Sequence, residues 1–406
     1  MAPLASRLTA AQSIALETEF GSPTYAPLDV VLTSGHGVWV EAIDGKRYLD
    51  CVSAYSALNQ GHVHPRILAA LIAQAQRLTL TSRAVRNDQL PLFLRDLAIY
   101  SGYEMSLLMN TGAEAVETAV KLARRWGYRR KGIARDRARI VVCVGNFHGR
   151  TTTAVSASSV EQYRADFGPL TPGFDIIPFG DIQALRAALT DETCALLIEP
   201  VQGEGGVNIP PAGFLQAAFA LCRERNALFI ADEVQTGFGR CGARFALDRE
   251  GITPDVMAVG KALGGGFYPV SAVLASRELL TLFAPGDHGS TFGGNPLGCA
   301  VAREALAVIV DEKLAQRAET LGTELTRRLQ GIRHPLVREV RGRGLLIGIE
   351  LSVKANTLAT ALLAEGILAK DTQDYVLRIA PPLILEREHV DMIVAAVAKA
   401  LDAISQ

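Results

Sequence analysis

The stretch that decides the fold is Asp255–Val273, which reads DVMAVGKALGGGFYPVSAV. A short apolar run ends at Gly260, Lys261 follows it directly, and three consecutive glycines come shortly after. Burial at a strand end favours the neutral form of an amine, and a neutral lysine forms Schiff bases with carbonyl compounds. A lysine that reaches water past a flexible turn would have the same local sequence.

The middle of the chain alternates short apolar runs with helical patterns. The runs are RIVVCVG (139–145), CALLIEPV (194–201), ALFIADEV (227–234), DVMAVGK (255–261) and VSAVLAS (270–276). Their continuous apolarity predicts strands that are covered on both faces, as in a largely parallel sheet of the α/β class. In such sheets, ligands bind outside the carboxyl ends of the strands.

The pattern along the chain predicts three parts, of which 61–296 is the large domain. After residue 296 a long helical stretch leads to an apparent hairpin at 337–351, so we expect 297–406 to form a smaller C-terminal domain. Residues 1–60 contain a hairpin pattern at 37–50 around an Asp-Gly pair, and we expect this segment to pack against the small domain.

The charge balance argues against nucleic acid and membrane partners. The 406 residues include 41 Lys and Arg against 42 Asp and Glu, which gives no global field for an anionic surface. The basic segment 124–139 resembles a nucleic-acid patch, but a solvated helix end looks the same and suits the neutral whole better. No apolar stretch approaches the length of a membrane span.

Six scattered cysteines without a C-x-x-C pair predict reduced thiols in a cytoplasmic protein.

Two motifs at the ends of apolar runs indicate a cofactor. Asp232 ends one run, and a buried carboxylate requires a positive partner such as a protonated pyridine nitrogen. It could instead bind magnesium beside a phosphate, but no G-x-x-x-x-G-K-[ST] motif supports this. The segment 109–124 places Asn-Thr-Gly before an amphipathic helix, where free amides form a phosphate cradle. Thr111 also suits an ordinary helix cap with Glu114.

Further polar residues follow the same arrangement. In GNFHGRT (145–151), Phe147 could stack on a ring and Arg150 could bind a carboxylate, although each also suits a core or surface position. The loop GSTFGGNP (289–296) could add a phosphate contact. His62 and His64 lack a third metal ligand pattern and are interpreted as turn residues, so no metal is expected. The order of these motifs indicates one cofactor site at a sheet edge.

The segments LFIADEVQTGFGR (228–240) and PDVMAVGKALGGGFYPVSAV (254–273) resemble the class III, fold-type-I aminotransferases that depend on pyridoxal 5′-phosphate (PLP). The resemblance extends over nearly the whole chain. It implies a large domain with a mostly parallel seven-stranded sheet, a smaller α+β domain, and an obligate homodimer with active sites at its interface.

The same resemblance implies a role for each site residue. Lys261 would form the Schiff base and then move the proton, Asp232 would pair with the pyridine nitrogen, and Gln235 would reach the ring hydroxyl. The other implied cofactor contacts are Thr111, Gly112 and Ala113 at the phosphate, Phe147 and Val234 on the two ring faces, and Thr291 of the partner subunit at the phosphate.

Within the class, the segments at 53–65, 167–181 and 288–299 resemble the ornithine δ-aminotransferase branch. The acetylornithine branch usually has GIAVN where this chain has SAYSALN, so Tyr55 carries most weight, together with Tyr25. The implied reaction is a ping-pong transfer of the δ-amino group of L-ornithine to 2-oxoglutarate, giving glutamate-5-semialdehyde and L-glutamate. It would belong to proline biosynthesis or arginine metabolism.

The resemblance also implies how one site takes two substrates. Arg150 would hold the α-carboxylate of ornithine, with Tyr25, and Tyr55 as a second candidate, receiving its α-amine. Arg378 would hold the α-carboxylate of glutamate, and Arg150 its γ-carboxylate. During the ornithine half-reaction, Glu204 would pair with Arg378 and mask its charge, because an unpaired buried arginine is costly. The implied catalytic residues are Lys261, Asp232 and Glu204.

Two departures from the pattern of ornithine enzymes leave other substrates as alternatives. His148 stands where animal ornithine enzymes carry Trp, and GEGG (203–206) stands where they carry GEAG; both variants occur in the acetylornithine branch. The alternative is therefore an acetylornithine or 4-aminobutyrate aminotransferase, although Tyr55 disfavours 4-aminobutyrate. A non-catalytic PLP-fold protein is a remote alternative. An NAD-dependent oxidoreductase is disfavoured because no G-x-G-x-x-G opens a helix after an apolar run.

Overall fold

The computed structural model describes residues 8–405 of the chain. The helices within that range are α1 (Ala10–Phe20), α2 (Ser53–Ser56, a single turn), α3 (Pro65–Ala75), α4 (Gln89–Ser101), α5 (Gly112–Trp126), α6 (Thr152–Ser156), α7 (Glu161–Arg164), α8 (Ile182–Ala188), α9 (Phe214–Glu224), α10 (Arg277–Leu280), α11 (Pro296–Asp311), α12 (Leu314–Gln330), α13 (Ala355–Ala364) and α14 (Arg387–Ile404). Short turns of other helix types occupy Gly127–Lys131, Ala246–Glu250 and Lys261–Gly264.

The strands form three sheets. They are β1 (Leu32–His36), β2 (Trp39–Ala42), β3 (Arg47–Asp50), β4 (Met105–Met109), β5 (Arg139–Cys143), β6 (Phe174–Ile177), β7 (Thr193–Ile198), β8 (Leu228–Asp232), β9 (Val256–Val259), β10 (Ser271–Ala275), β11 (Val337–Arg343), β12 (Leu346–Leu351), β13 (Ile367–Leu368), β14 (Lys370–Thr372) and β15 (Val376–Ile379).

The large sheet has seven strands in the order β4-β10-β9-β8-β7-β5-β6. Only β10 runs antiparallel to its neighbours, and the pairs from β9 through β8, β7 and β5 to β6 are all parallel. The predicted α/β class with a mostly parallel seven-stranded sheet is confirmed. Every residue of β7, β8, β9 and β10 is buried, which is the physical reason for their unbroken apolarity.

Alternate side chains of these strands enter two different cores. On one face, Ile140 of β5 and Ile230 of β8 pack in a cluster with Ala119 of α5. On the other face, Val141 and Phe229 belong to a larger cluster that also contains side chains of the C-terminal helices. The sheet is therefore covered on both sides, and only its strand ends are available to a ligand.

Two smaller sheets lie beside the large one. The first has the order β1-β2-β3-β13 and the second the order β11-β12-β15-β14. The predicted hairpins are present, as antiparallel pairs of β2 with β3 and of β11 with β12. β13 pairs in parallel with β3, so an N-terminal strand shares a sheet with a C-terminal one. The domain boundaries at residues 60 and 296 stay a prediction.

No helix within residues 8–405 combines the length and apolar character needed to cross a membrane. The same residues contain no group of three or more His, Cys, Asp or Glu side chains arranged to hold a metal ion.

Helix α12 touches the β11–β12 hairpin backbone to backbone. A Cβ atom at Gly322 would lie 2.0 Å from the carbonyl oxygen of Gly344, in the hairpin turn. Gly344 itself has φ +55°, and a Cβ atom there would lie 2.5 Å from the Gly242 nitrogen and 2.6 Å from the Arg240 carbonyl oxygen. The contact cannot accept a methyl group without moving the helix away from the turn.

We expect Gly322→Ala to lower the free energy of unfolding of the holoenzyme by about 1–3 kcal/mol, because overpacking outweighs the better helix propensity of alanine. Thermal or urea unfolding measures the effect. Thr323→Ala is the matched control, since Thr323 is the exposed neighbour on the same helix. Equal stability of Gly322→Ala and the wild type would contradict the close packing described here.

Candidate functional site

A cavity of about 220 Å³ opens at the carboxyl ends of the parallel strands. Residues from five separate segments line it. They are Gly112, Ala113 and Val116 of α5, Phe147, His148 and Gly149 after β5, Glu199 after β7, Asp232, Val234, Gln235 and Thr236 at and after β8, and Lys261 after β9. The structure thus brings together most of the residues that the sequence placed at strand ends.

Lys261 follows β9 directly and has a left-handed backbone conformation with φ +46°. Its side chain lines the cavity, and the residue is half-buried. Burial lowers the pKa of the Lys261 ammonium, and the nearby Glu204 carboxylate offsets part of that shift. The interpretation of Lys261 as an amine biased towards its neutral form therefore has structural support, and that of a lysine extended into water does not.

Asp232 is buried at the end of β8 and has a partner that sequence reasoning missed. Its Oδ2 lies 2.7 Å from Nδ1 of the buried His148, and its Oδ1 accepts a hydrogen bond from the Val234 amide at 3.1 Å. Burial works against a charged His148, but the hydrogen bond and charge of Asp232 outweigh it and raise the His148 pKa. The pair holds the carboxylate in one orientation at the cavity wall.

Glu199 adds a third ionisable group beside this pair. It is 5% exposed, and its Oε2 accepts the backbone N–H of Phe147 at 2.9 Å. Burial raises the pKa of Glu199 to about 8, partly offset by His148. Glu199 therefore retains a proton at pH 7, which limits the negative charge under the cavity to that of Asp232.

The start of α5 combines a helix cap with cavity-lining amides. The Thr111 hydroxyl accepts from the Glu114 amide at 3.2 Å, and the Glu114 carboxylate accepts from the amides of Asn110 and Thr111 at 2.9 and 2.8 Å. The ordinary capping interpretation of Thr111 is thus correct. Gly112 and Ala113, in the first turn, line the cavity, and amides in the first turn of a helix have no acceptor within that helix.

Gly112 is also needed for a steric reason. A Cβ atom there would lie 2.7 Å from Cγ1 of Val234, which also lines the cavity. The close approach lets the helix start and the segment after β8 form one continuous wall.

Arg378 and Glu204 form a buried ion pair at the far side of the site. Nη1 of Arg378 donates to Oε1 of Glu204 at 2.5 Å, and the same oxygen accepts from Nε2 of Gln235 at 3.0 Å. Burial alone would raise the Glu204 pKa, but the positive charges of Arg378 and Lys261 lower it. Arg378 is 3% exposed, and its guanidinium lies 5.0 Å from the centre of the Tyr55 ring.

Tyr55 sits in an unusual backbone segment. Four consecutive residues have positive φ: Ser53 (+48°), Ala54 (+45°), Tyr55 (+58°) and Ser56 (+72°). The α2 turn is therefore left-handed, which costs roughly 1–2 kcal/mol for each of these L-residues. The Asp50 carboxylate stabilises its start by accepting the amides of Val52 and Ser53 at 2.8 and 2.9 Å.

Arg150 is exposed at the mouth of the site. Its guanidinium carbon lies 3.6 Å from the centre of the Tyr163 ring and 5.4 Å from that of Phe147. None of the carboxylates in residues 8–405 forms an ion pair with it. Tyr163 was not singled out from the sequence, since a lone tyrosine in EQYR on the short α7 has no distinguishing pattern.

Two further predicted site residues lie in exposed segments. Tyr25 is 85% exposed in the segment before β1. Thr291 is exposed in the loop before α11, although its neighbour Ser290 accepts a hydrogen bond from Asn110 at 2.9 Å and so anchors the loop near the start of α5. Within the single chain, neither side chain is among those that line the cavity.

Comparison with known proteins agrees with this geometry. Residues 20–401 match the family model for class-III aminotransferases. The chain is 54% identical over 386 residues to the ornithine aminotransferase of Geobacillus sp. (strain WCH70), covering 95% of this chain and 97% of that one. The crystal structure of ornithine aminotransferase from Toxoplasma gondii ME49 is 43% identical, with a TM-score of 0.96 over 98% of this chain and 96% of that one.

The acetylornithine aminotransferase of Elizabethkingia anophelis is similar as well. Its structure has a TM-score of 0.89 and 44% identity, covering 98% of this chain and all of that one. The family match extends over nearly the whole chain, and Asp232 and Lys261 both line the cavity at the strand ends. The chain belongs to the class-III aminotransferases.

Proposed function

We propose that this protein transfers the δ-amino group of L-ornithine to 2-oxoglutarate, with PLP as cofactor, and releases glutamate-5-semialdehyde and L-glutamate in turn. The observation that carries the proposal is the Arg378–Glu204 pair beside Tyr55, because it allows one site to accept two substrates of different charge. The high identity to ornithine aminotransferases over almost the full chain supports the same substrate.

The cavity fits PLP by the chemistry of its walls. Asp232 would face the ring nitrogen, Phe147 and Val234 would cover the ring, and the first amides of α5 would hold the phosphate. When bound, PLP supplies a carbonyl carbon for the amino group and a charged ring that stabilises negative charge. Lys261 Nζ would hold the cofactor covalently and, once released, would take and return the substrate proton.

His148 would act on Asp232 rather than on the substrate. Its Nδ1 contact keeps the carboxylate turned towards the cavity, and the protonated Glu199 avoids a second negative charge beside it. An ionised Asp232 is the form that can pair with a protonated ring nitrogen.

The Arg378–Glu204 pair would select between the substrates. L-ornithine carries a second amine and presents its terminal one, so a masked Arg378 avoids drawing its α-carboxylate to the wrong end of the site. Glutamate presents its α-amine, and its α-carboxylate would displace Glu204 from Arg378. Arg150, which stacks on Tyr163 and has no carboxylate partner within residues 8–405, would bind the carboxylate at the opposite end of either substrate.

We further propose a homodimer in which Tyr25 and Thr291 complete the site. Both are exposed in the single chain, and the loop that carries Thr291 is anchored to Asn110, next to the phosphate cradle. Thr291 of the partner subunit would then reach the phosphate, and Tyr25 would contribute to recognition of the α-amine. A cytoplasmic location is supported by six cysteines that are all free and buried.

N-acetyl-L-ornithine is the second candidate substrate. His148 and the GEGG segment favour it, since both occur in the acetylornithine branch, and the acetylornithine aminotransferase of E. anophelis shares the fold at 44% identity. The two substrates differ at the α-amine, so the residues around Tyr55 would decide between them.

The absorbance change of the purified holoenzyme on adding single amino donors tests the proposal. Without an oxo acid, we expect L-ornithine to remove the visible cofactor band and to yield a cyclic imine. N-acetylornithine and 4-aminobutyrate added separately are the controls. A faster response to N-acetylornithine would assign the protein to the second candidate function and would contradict the weight placed on Tyr55.

Lys261→Ala should leave a folded protein without the visible band and with transamination reduced by more than about 10⁴-fold, because covalent attachment and proton transfer are lost together. Absorption spectra and single-turnover assays measure the two effects. A normal band in Lys261→Ala would overturn the assignment of the lysine.

Glu204→Ala should raise the rate of the L-glutamate half-reaction relative to that of L-ornithine by at least about tenfold, because a buried Arg378 left unpaired gains more from binding a carboxylate. Stopped-flow absorbance with each donor gives the ratio. Glu388→Ala is the control, since Glu388 is exposed at the start of α14. An unchanged ratio would rule out the proposed masking of Arg378.

A further inference from the structure

Arg240 is a buried arginine without a carboxylate partner. Its side chain is fully buried, and none of the carboxylates in residues 8–405 lies within ion-pair distance of it. Its donors instead reach three neutral oxygens: the carbonyls of Leu345 (2.9 Å) and Pro381 (2.6 Å) and Oδ1 of Asn59 (2.6 Å). Burial lowers the pKa of Arg240 to about 9, so the side chain stays charged at pH 7.

A charge buried among neutral dipoles is costly, and such a residue usually has a purpose other than general stability. The three acceptors belong to three separate parts of the chain. Asn59 lies four residues after Tyr55, Pro381 lies three residues after Arg378, and Leu345 lies in the hairpin turn between β11 and β12. Arg240 therefore joins the segments that carry Tyr55 and Arg378.

Further hydrogen bonds connect the same segments. The Leu383 amide donates to the Asn59 carbonyl at 2.9 Å, and Nδ2 of Asn59 donates to the Phe238 carbonyl at 3.0 Å. The Leu345 amide donates to the carbonyl of Arg240 itself at 3.0 Å. The Asn59 side chain is thus fixed between Arg240 and Phe238, and little freedom is left to the backbone that follows Tyr55.

The left-handed turn at Tyr55 needs such support. Backbone in a sparsely populated conformation persists only where its surroundings determine it. Asp50 stabilises the start of the turn, but the buried hydroxyls of Ser53 and Ser56 have no hydrogen-bond partner among the described residues. Within the turn, the Ala57 amide donates to the Ser53 carbonyl at 2.9 Å, and Asn59, held by Arg240, fixes the chain that follows.

We propose that Arg240 is a positioning residue that holds Tyr55 against Arg378 and thereby sets the affinity of the site for the α-carboxylate of the dicarboxylic substrate. Arg240 does not touch the substrate. It acts through Asn59 on one side and through the Pro381 carbonyl on the other, and so determines the 5.0 Å contact between the Tyr55 ring and the Arg378 guanidinium. The assignment of glutamate and 2-oxoglutarate to Arg378 rests on the proposed function.

Arg240→Lys in the holoenzyme tests the proposal, because a lysine keeps the charge but cannot direct donors to three separate oxygens. We expect the KM for 2-oxoglutarate and the Kd for glutarate, a dicarboxylate without an amino or oxo group, to rise at least about tenfold, with kcat changed less than about threefold. Calorimetric titration gives the glutarate affinity independently of turnover. The visible cofactor band should stay as in the wild type.

Arg303→Lys is the matched control. Arg303 on α11 donates to Asp96 at 2.7 Å and to Gln89, away from the site, so its replacement should lower stability without changing either dicarboxylate constant. Unchanged KM and glutarate affinity in Arg240→Lys would overturn the proposal and leave Arg240 as a purely structural residue.

Asn59→Ala decides the question if Arg240→Lys does not fold. It removes one acceptor of Arg240 and leaves the two carbonyls, so we expect the same rise in both dicarboxylate constants. Wild-type constants in a folded Asn59→Ala protein would contradict the proposal. Failure of the proposed function can be distinguished from failure of this proposal. If the proposed function is wrong, the wild-type enzyme does not respond to ornithine. The glutarate titrations compare the variants with the wild type and do not depend on the amino donor.

Discussion

The ion pair between Arg378 and Glu204 is the interaction on which the rest of the site depends. Arg378 lies on β15 of a small sheet, and Glu204 lies in the loop after β7 of the large sheet. The pair therefore joins two sheets at the place where the cavity is built. Arg378 is almost fully buried and is stabilised by the charge of Glu204, and the positive charges of Arg378 and Lys261 in turn favour the ionised form of Glu204. In the proposed function, a substrate carboxylate would replace Glu204 as the partner of Arg378.

At the opposite end of the cavity, negative charge is limited to one carboxylate. Asp232 is held by His148, and Glu199 retains its proton because burial raises its pKa. The negative charge at this wall of the cavity is thus limited to that of Asp232, where we propose that the ring nitrogen lies.

Sequence reasoning was most accurate where local chemistry is sufficient. The structure confirms the strands predicted at the apolar runs, the mostly parallel sheet, and the positions of Lys261 and Asp232 at strand ends. Strands that are buried on both faces are apolar throughout, so they can be recognised from composition. The roles given to individual site residues stay a prediction. His148 was noted only for standing where other enzymes carry Trp, and its contact with Asp232 joins residues that are 84 positions apart.

The sequence could not predict the contacts of Tyr163 and Arg240 or the left-handed turn at Tyr55. The stacking of Arg150 on Tyr163 and the three acceptors of Arg240 depend on contacts between distant segments. The segment SAYS contains no glycine or asparagine, the residues that usually adopt positive φ angles. Its conformation is therefore set by contacts with the surrounding structure. By itself, the sequence determined the sheet, since this depends on residue type and period, and its resemblance to known aminotransferases indicated the cofactor and the class of enzyme. Only the tertiary structure decided which charges are paired and which backbone is strained, because both are set by neighbours that are remote along the chain.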